Sequence, residues 1–426
     1  MNTQLKTIFV FLFLVCTLRG TAQNFSIDYP SYQNRNSDAL EISRIVRNDT
    51  ATILYMDAYS RPNYWIRLAS GLSLHGNQTG KNYPIIRSQG FELDKEVYMP
   101  ASGNVTFSLQ FAPLAPQEKM IDFIEGANKG DFQIKSISLN EQEKKGKIHC
   151  HISGKVIDSP QSSRLVLMKA HKNPSSSPWL SIPIRNGEFQ YDFYADHEEV
   201  YEVFIWNDML TGSWLPSLFF AENGPVSFTL YPASTRKPGL VSTSNPLTCE
   251  LQQLESERKA KFNFDSLYAQ MNKLYEENRF ESEALQTLWK KIEQVKDNNE
   301  ERNNIYRERD RLEESGEAYT EEGKALLAKI KQLNEEMNQW TIKHIKQNPS
   351  LPGLYVLTSK TEMARKGEDV TPFLNAYQET FASLYPEHPY GQQMQMLIKN
   401  GQPEIGKPYV DFSAPDLNGN KVQISK

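Results

Sequence analysis

The chemistry-bearing residues of this chain are few, and the densest group is His149-Cys150-His151. Imidazole and thiol are zinc ligands and can activate one another. On an extended strand, however, successive side chains point to opposite faces, so His149 and His151 share one face and Cys150 takes the other. The three cannot close on one metal, and the histidine pair supplies half a site that nothing nearby in sequence completes. The ordinary reading is a surface histidine pair flanking a core cysteine. Glu125, Asp131, Glu198 and Glu199 form no acid/base pair visible from their spacing. The sequence contains no glycine-rich phosphate loop, no Gly-x-Ser-x-Gly elbow and no His-Glu-x-x-His helix. No catalytic, cofactor-binding or metal-ligating residue is therefore assigned. Aromatic groups at Tyr59, Tyr64 and Trp65, and at Trp206, Trp214, Phe219 and Phe220, could line a groove for glycan or peptide, but aromatics at strand spacing are more often core. Trp214, in a Gly-Ser-Trp-Leu-Pro loop, is the one expected to be exposed.

The bulk numbers narrow the class of protein. The chain has 426 residues, 39% hydrophobic and 23% charged, with a net charge of −5. That length predicts several units, each able to bury a core. The acidic balance offers no basic field to neutralise phosphates, which argues against a nucleic-acid partner. Residues 1–22 read as a secretory signal peptide: Lys6 precedes an apolar run from Thr7 to Leu18, and Gly20 and Ala22 are spaced for cleavage after Ala22. Cys16 would invite lipidation, but Phe13-Leu14-Val15 lacks the small residues of a lipobox. No other stretch approaches roughly 18 consecutive apolar residues, so no permanent membrane span is expected. Once the signal is removed, Cys150 and Cys249 remain, in segments assigned to different units. Two buried, unpaired thiols are expected.

The elements that must position these groups fall into two classes. From Leu40 to about Glu125, short alternating runs such as Leu40–Ile45 and Val105–Phe111 are separated by turn residues at Arg61-Pro62-Asn63, Gly76-Asn77 and Pro100–Asn104. This pattern predicts a β-sandwich, residues 23–126. Small polar residues from Gly126 to Gly130 mark a boundary. A second all-β unit is expected over 131–240, opening with a strand at Ile134–Leu139 and looping at Asn173–Pro178 and Asp208–Pro216. After Pro246 the period becomes helical. Leu285, Leu288, Ile292 and Val295, then Leu326, Ile330, Leu333, Met337, Trp340 and His344, step by three and four. An α-helical hairpin or bundle is expected over 245–400, with the charged stretch Lys296–Glu317 as a solvated face broken near Ser315-Gly316. Asn348-Pro349 should stop the long helix. Shorter helices are expected at Gly353–Arg365, Thr371–Tyr385 and from Pro389. Residues 401–426 read as an orphan β-hairpin around Asn418-Gly419. Asp49-Thr50-Ala51 and Asp265-Ser266-Leu267 are weak O-glycosylation triplets.

Gly406-Lys407-Pro408, Asp411-Phe412, Ala414-Pro415-Asp416-Leu417 and Asn418-Gly419 resemble the opening of the thioredoxin-like domain of TlpA-like thiol:disulfide oxidoreductases and the thiol-specific-antioxidant group. Gly154-Lys155-Val156, Asn186-Gly187-Glu188-Phe189 and Phe219–Gly224 resemble a β domain found before TlpA-like domains in exported Bacteroidetes proteins. The segment ending Tyr385-Pro386-Glu387-His388-Pro389-Tyr390 is similar to their helical spacer. The resemblance implies a Trp-Cys-x-x-Cys motif beyond the hairpin, absent from this chain up to Lys426. The expectation is therefore an accessory, non-catalytic region of such an enzyme in the periplasm or cell envelope, with its redox domain truncated. Dithiol exchange by this chain is not expected, since that chemistry needs an attacking thiolate and a resolving partner. The alternative is a complete non-enzymatic envelope protein that binds a protein or glycan. Oligomeric state is left open.

Overall fold

The computed structural model of the protein describes residues 25–128, 130–140, 146–159, 162–174, 177, 179–295, 298–364, 368–400, 413–415 and 421–423. The expected signal peptide lies outside them. Largely antiparallel sheets, with one parallel pair between Ile148–Val156 and Gly224–Leu230, occupy the front of the chain and helices the back, as the change of period after Pro246 predicts.

The first unit holds strands β1 (Phe25–Asp28), β2 (Asn34–Arg35), β3 (Leu40–Arg47), β4 (Thr52–Tyr59), β5 (Trp65–Ile66), β6 (Ser73–Gly76), β7 (Asn82–Gln89), β8 (Val97–Tyr98), β9 (Asn104–Phe111), β10 (Met120–Ile124) and β11 (Gln133–Ser138). Nine of these form one antiparallel sheet in the order β1-β3-β4-β9-β7-β6-β10-β11-β2. Strand β7 is its corner: Asn82–Pro84 pair with β6, while Ile85–Gln89 pair with β9 across a register shift between Ile85 and Arg87. An extra residue of this kind bends a strand. One core then joins both halves: Leu54, Phe107 and Phe111 pack in the same cluster as Leu74, Ile121, Phe123 and Ile137. The unit is thus a folded-over single sheet rather than two separate ones. Gly76 is required by close approach, because a Cβ there would lie 2.1 Å from Oε1 of the buried Glu118.

The boundary expected at Gly126–Gly130 moves. Gln133–Ser138, expected to open the second unit, instead pairs with β10 and β2 and completes the first sheet. Its alternation fits either sheet equally well; pairing is what assigns it. The second unit begins at β12 (Ile148–Val156) and continues through β13 (Arg164–Lys169), β14 (Leu180–Pro183), β15 (Glu188–Ala195), β16 (Val200–Ile205), the short helix α1 (Trp206–Leu210), β17 (Ser217–Phe220), β18 (Gly224–Leu230) and β19 (Leu240–Thr243). Two four-stranded sheets, β15-β12-β18-β19 and β14-β13-β16-β17, enclose a core of Cys150, Ile152, Leu167, Phe193, Val203 and Phe219, among others.

The helices are α2 (Pro246–Lys261), α3 (Asp265–Glu276), α4 (Glu283–Gln294), α5 (Asn299–Ser315), α6 (Glu321–Gln347), α7 (Leu351–Glu362), α8 (Thr371–Thr380) and α9 (Pro389–Asn400). The charged stretch is itself a helix. Asn298 caps α5 by accepting from the Glu300 and Glu301 amides at 3.2 and 3.3 Å, and Gly316 ends it at φ 73°. Its thin apolar stripe, Ile305 and Leu312, packs with Leu285 and Leu288 of α4. The hairpin is therefore α4 with α5, while the long α6 stops at Gln347 before Asn348-Pro349. Helix α7 is buried from Leu351 through Thr358. It packs with Val200 and Phe220 on the outer face of the β16-β17 sheet. Ser413–Pro415 and Lys421–Gln423 pair antiparallel, on either side of the expected turn; Asn418-Gly419 itself lies outside the described residues. Among the described residues, no helix is long and apolar enough to cross a membrane.

Candidate functional site

Strand β12 places the His-Cys-His triplet as its alternation requires. Cys150 is buried in the second core, and His149 and His151 lie on the opposite face. The cross-strand register supplies a residue the spacing alone did not reveal. His151 sits opposite Asp192 on β15, and Asp192 Oδ1 lies 2.8 Å from His149 Nε2 and 3.0 Å from His151 Nδ1. A carboxylate only accepts, so each imidazole donates with the nitrogen that faces it. Partial burial of Asp192 would raise its carboxyl, but the hydrogen bonds from His151 and His149 outweigh it and hold it below the usual carboxylate value. His149 also stacks on Tyr194, with centroids 4.8 Å apart. Asp192 thus orients both rings. Among the described residues, no group of three or more histidine, cysteine and acidic side chains is arranged to hold a metal ion.

The two remaining cysteines are both free, and they differ in kind. Cys150 is buried, and burial pushes its thiol up to about 12. Cys249, in the first turns of α2, is exposed rather than buried, because the helix packs through Leu251 and Leu254 instead. Of the acidic residues considered from sequence, Glu198 is exposed, and the other three are engaged as hydrogen-bond acceptors or ion pairs. Glu125 accepts the amides of Ala69 and Phe132 at 2.6 and 2.8 Å, Asp131 accepts that of Asn128 at 2.8 Å, and Glu199 pairs with Lys169.

The aromatic groups divide. Tyr59, Phe219 and Phe220 are core. Trp214 is half-buried and stacks on Phe204 at 5.6 Å, so it is not the exposed aromatic expected. Tyr64 and Trp65 are exposed instead, and the two-stranded β5-β8 ribbon sets Trp65 directly opposite the exposed Tyr98. Trp206 helps hold Arg164, whose guanidinium lies 4.1 Å from its ring centroid and 4.3 Å from that of Tyr59. Arg164 also donates to the Asp38 carbonyl at 2.7 Å, tying the two β units together. Burial pulls this guanidinium down to about 10, so it keeps its charge at neutrality.

Two further places are products of tertiary structure. At the seam between the second unit and α7, His171 Nε2 lies 2.8 Å from Tyr355 Oη and 2.9 Å from Ser359 Oγ. The nitrogen is shared between two hydroxyls on one helix, which suits a strap more than a nucleophile-base pair. Nearby Glu202 is buried on β16, and burial pushes its carboxyl up to about 7. On the outer face of the first sheet, a groove of about 480 Å³ runs over β4, β9 and β7, lined in part by Tyr55, Arg87, Gln89, Thr106, Ser108 and Gln110. A hollow of about 690 Å³ lies beside the end of α4, lined in part by Ile292, Val295 and Arg302.

No protein-family model matches this chain, and comparison with curated proteins returns no match.

Proposed function

We propose that this chain is the non-catalytic accessory region of an exported, envelope-located TlpA-like thiol:disulfide oxidoreductase. In this reading two β units and a helical spacer carry a redox domain whose opening residues 401–426 resemble. The observation that carries the proposal is the state of the thiols. Cys150 is sealed in a core and Cys249 is exposed on a helix of a different unit. Dithiol exchange needs an attacking thiolate with a resolving thiol beside it, and a buried thiol that ionises only near 12 is no such nucleophile. The β-then-α order and the antiparallel pairing of Ser413–Pro415 with Lys421–Gln423 agree with the resemblance.

Insulin reduction tests it. The purified chain should show no turnover, while a version extended through the DNA that follows codon 426, if it encodes Trp-Cys-x-x-Cys, should turn over. Turnover by the chain itself, abolished by Cys249→Ser or Cys150→Ser, would overturn the proposal. A second reading, a non-enzymatic envelope protein that binds a protein or glycan, is favoured by the solvent-facing Tyr64, Trp65 and Tyr98.

A further inference from the structure

We propose that the groove on the outer face of the first sheet binds an acidic glycan, with Arg87 receiving a sugar carboxylate. The inference deepens the binding reading above, and it rests on the groove rather than on the aromatic ribbon.

Three observations point the same way. The groove, about 480 Å³, falls within the roughly 300–1,000 Å³ range of small-ligand sites. Its neutral polar lining includes the amides of Gln89 and Gln110 and the hydroxyl of Ser108, which both donate and accept as sugar hydroxyls do, and the Thr106 hydroxyl, whose proton goes to Asp57 and whose oxygen still accepts. Tyr55, 39% exposed, adds a ring at the groove, with the Arg44 guanidinium 6.0 Å from its centroid.

Charge then selects the kind of sugar. Among the described residues that line the groove, Arg87 is the only ionisable cation, and its hydrogen-bond partner is neutral: Nη2 donates to Gln110 Oε1 at 3.1 Å. No carboxylate is among the described residues that line the groove, and the acids that touch Thr106 and Arg44 are already paired. Asp57 accepts from Thr106 and from Arg185, each at 2.7 Å, and Asp28 pairs with Arg44 at 2.5 Å. The guanidinium fork therefore retains donors for an incoming carboxylate, the planar anion it fits in bidentate fashion. The register shift between Ile85 and Arg87 re-aims the strand at this residue, a placement that bulges often serve at binding sites. A peptide strand would pair along the short edge of β7 beyond Ile85, whereas the side chains that line the groove lie on the face of the sheet, so strand pairing is the poorer account of the groove.

Titration calorimetry on the full chain decides the matter, using oligogalacturonate, its methyl ester, a neutral oligosaccharide of equal length and hexaglutamate as probes. The free acid should bind, and added salt should weaken it as an exposed charge contact requires. Methyl-esterification or Arg87→Gln should each weaken binding by at least about tenfold, about 1.4 kcal/mol. Gln110→Ala should weaken it too, with unfolding midpoints unchanged in both variants. Equal affinity for the ester, indifference to Arg87→Gln, tighter binding of hexaglutamate or failure of the free acid to bind at millimolar concentration would each overturn the inference. Binding of the neutral oligosaccharide that is lost on Trp65→Ala but not on Arg87→Gln would overturn it as well, while leaving the broader binding reading intact.

Discussion

At the scale of single residues, the side chains with chemical character are held by specific partners. Arg164 lies against the rings of Trp206, Tyr59 and Trp179 and donates to Asp38 across the unit boundary. Arg164→Met removes a desolvated cation-π contact and a charged hydrogen bond, so it should lower stability by about 3 kcal/mol, read as a shift in urea midpoint. The cysteines differ in accessibility by their surroundings alone. With a thiol reagent under native conditions, Cys249 should react within the mixing time typical of exposed thiols, and Cys150 only on unfolding. Two equally fast thiols would contradict the burial of Cys150. The pairing of His149 and His151 on Asp192 shows how far sequence reading reached: alternation placed both rings on one face, but their shared acceptor sits 41 residues from His151 and is brought there by strand register.

Elements carry the next set of consequences. Helix α5 is dense in charge, and its ends matter more than its interior. Gly316 adopts φ 73°, where a side chain is strained even though a Cβ would meet nothing within 4 Å. Gly316→Ala should therefore cost about 1 kcal/mol, seen as faster amide exchange in α4 and α5 with little change elsewhere. The seam between β16 and α7 titrates. Burial raises the Glu202 carboxyl from 4.5 to about 7, so the folded protein holds this proton over a range where the unfolded chain has released it. The stability this provides is complete below about 4.5 and is lost as pH rises through about 7, a change of roughly 3 kcal/mol. Glu202→Gln should flatten that part of the stability-pH curve and leave the variant more stable than the parent at pH 8. A slope that survives the substitution would assign the effect to other groups.

For the whole molecule, the β and α parts share a core. Val200 and Phe220 on the outer sheet face are buried with Leu354, Tyr355 and Phe381, and the Val200 amide donates to Tyr390 Oη at 2.6 Å. The second unit and the helices should consequently unfold together. Phe220→Ala, which leaves a cavity in that shared core, should cost about 3 to 5 kcal/mol. Helical ellipticity and tryptophan fluorescence should shift to the same lower midpoint in one transition. Separate midpoints would show the helical part to be an independent spacer, mechanically looser than its packing implies.

The sequence by itself determined the order of classes: alternation in the front half, a 3.6-residue period after Pro246, the stop at Asn348-Pro349 and the opposite faces of Cys150 and its flanking histidines. These are local, since periodicity, caps and proline act within a few residues. Tertiary structure decided what depends on partners distant in the chain. Ile134–Leu139 has the same alternation whichever sheet it joins, and only pairing with β10 and β2 gave it to the first unit. The charged stretch 299–315 looked like a solvated face because two apolar residues make a thin stripe, yet packing against α4 is enough for a well-capped helix. Whether an aromatic is buried likewise depends on what covers it, which is why Trp214 lies against Phe204 while Trp65 faces solvent, and why a groove at Arg87 exists only once β7 has turned its corner.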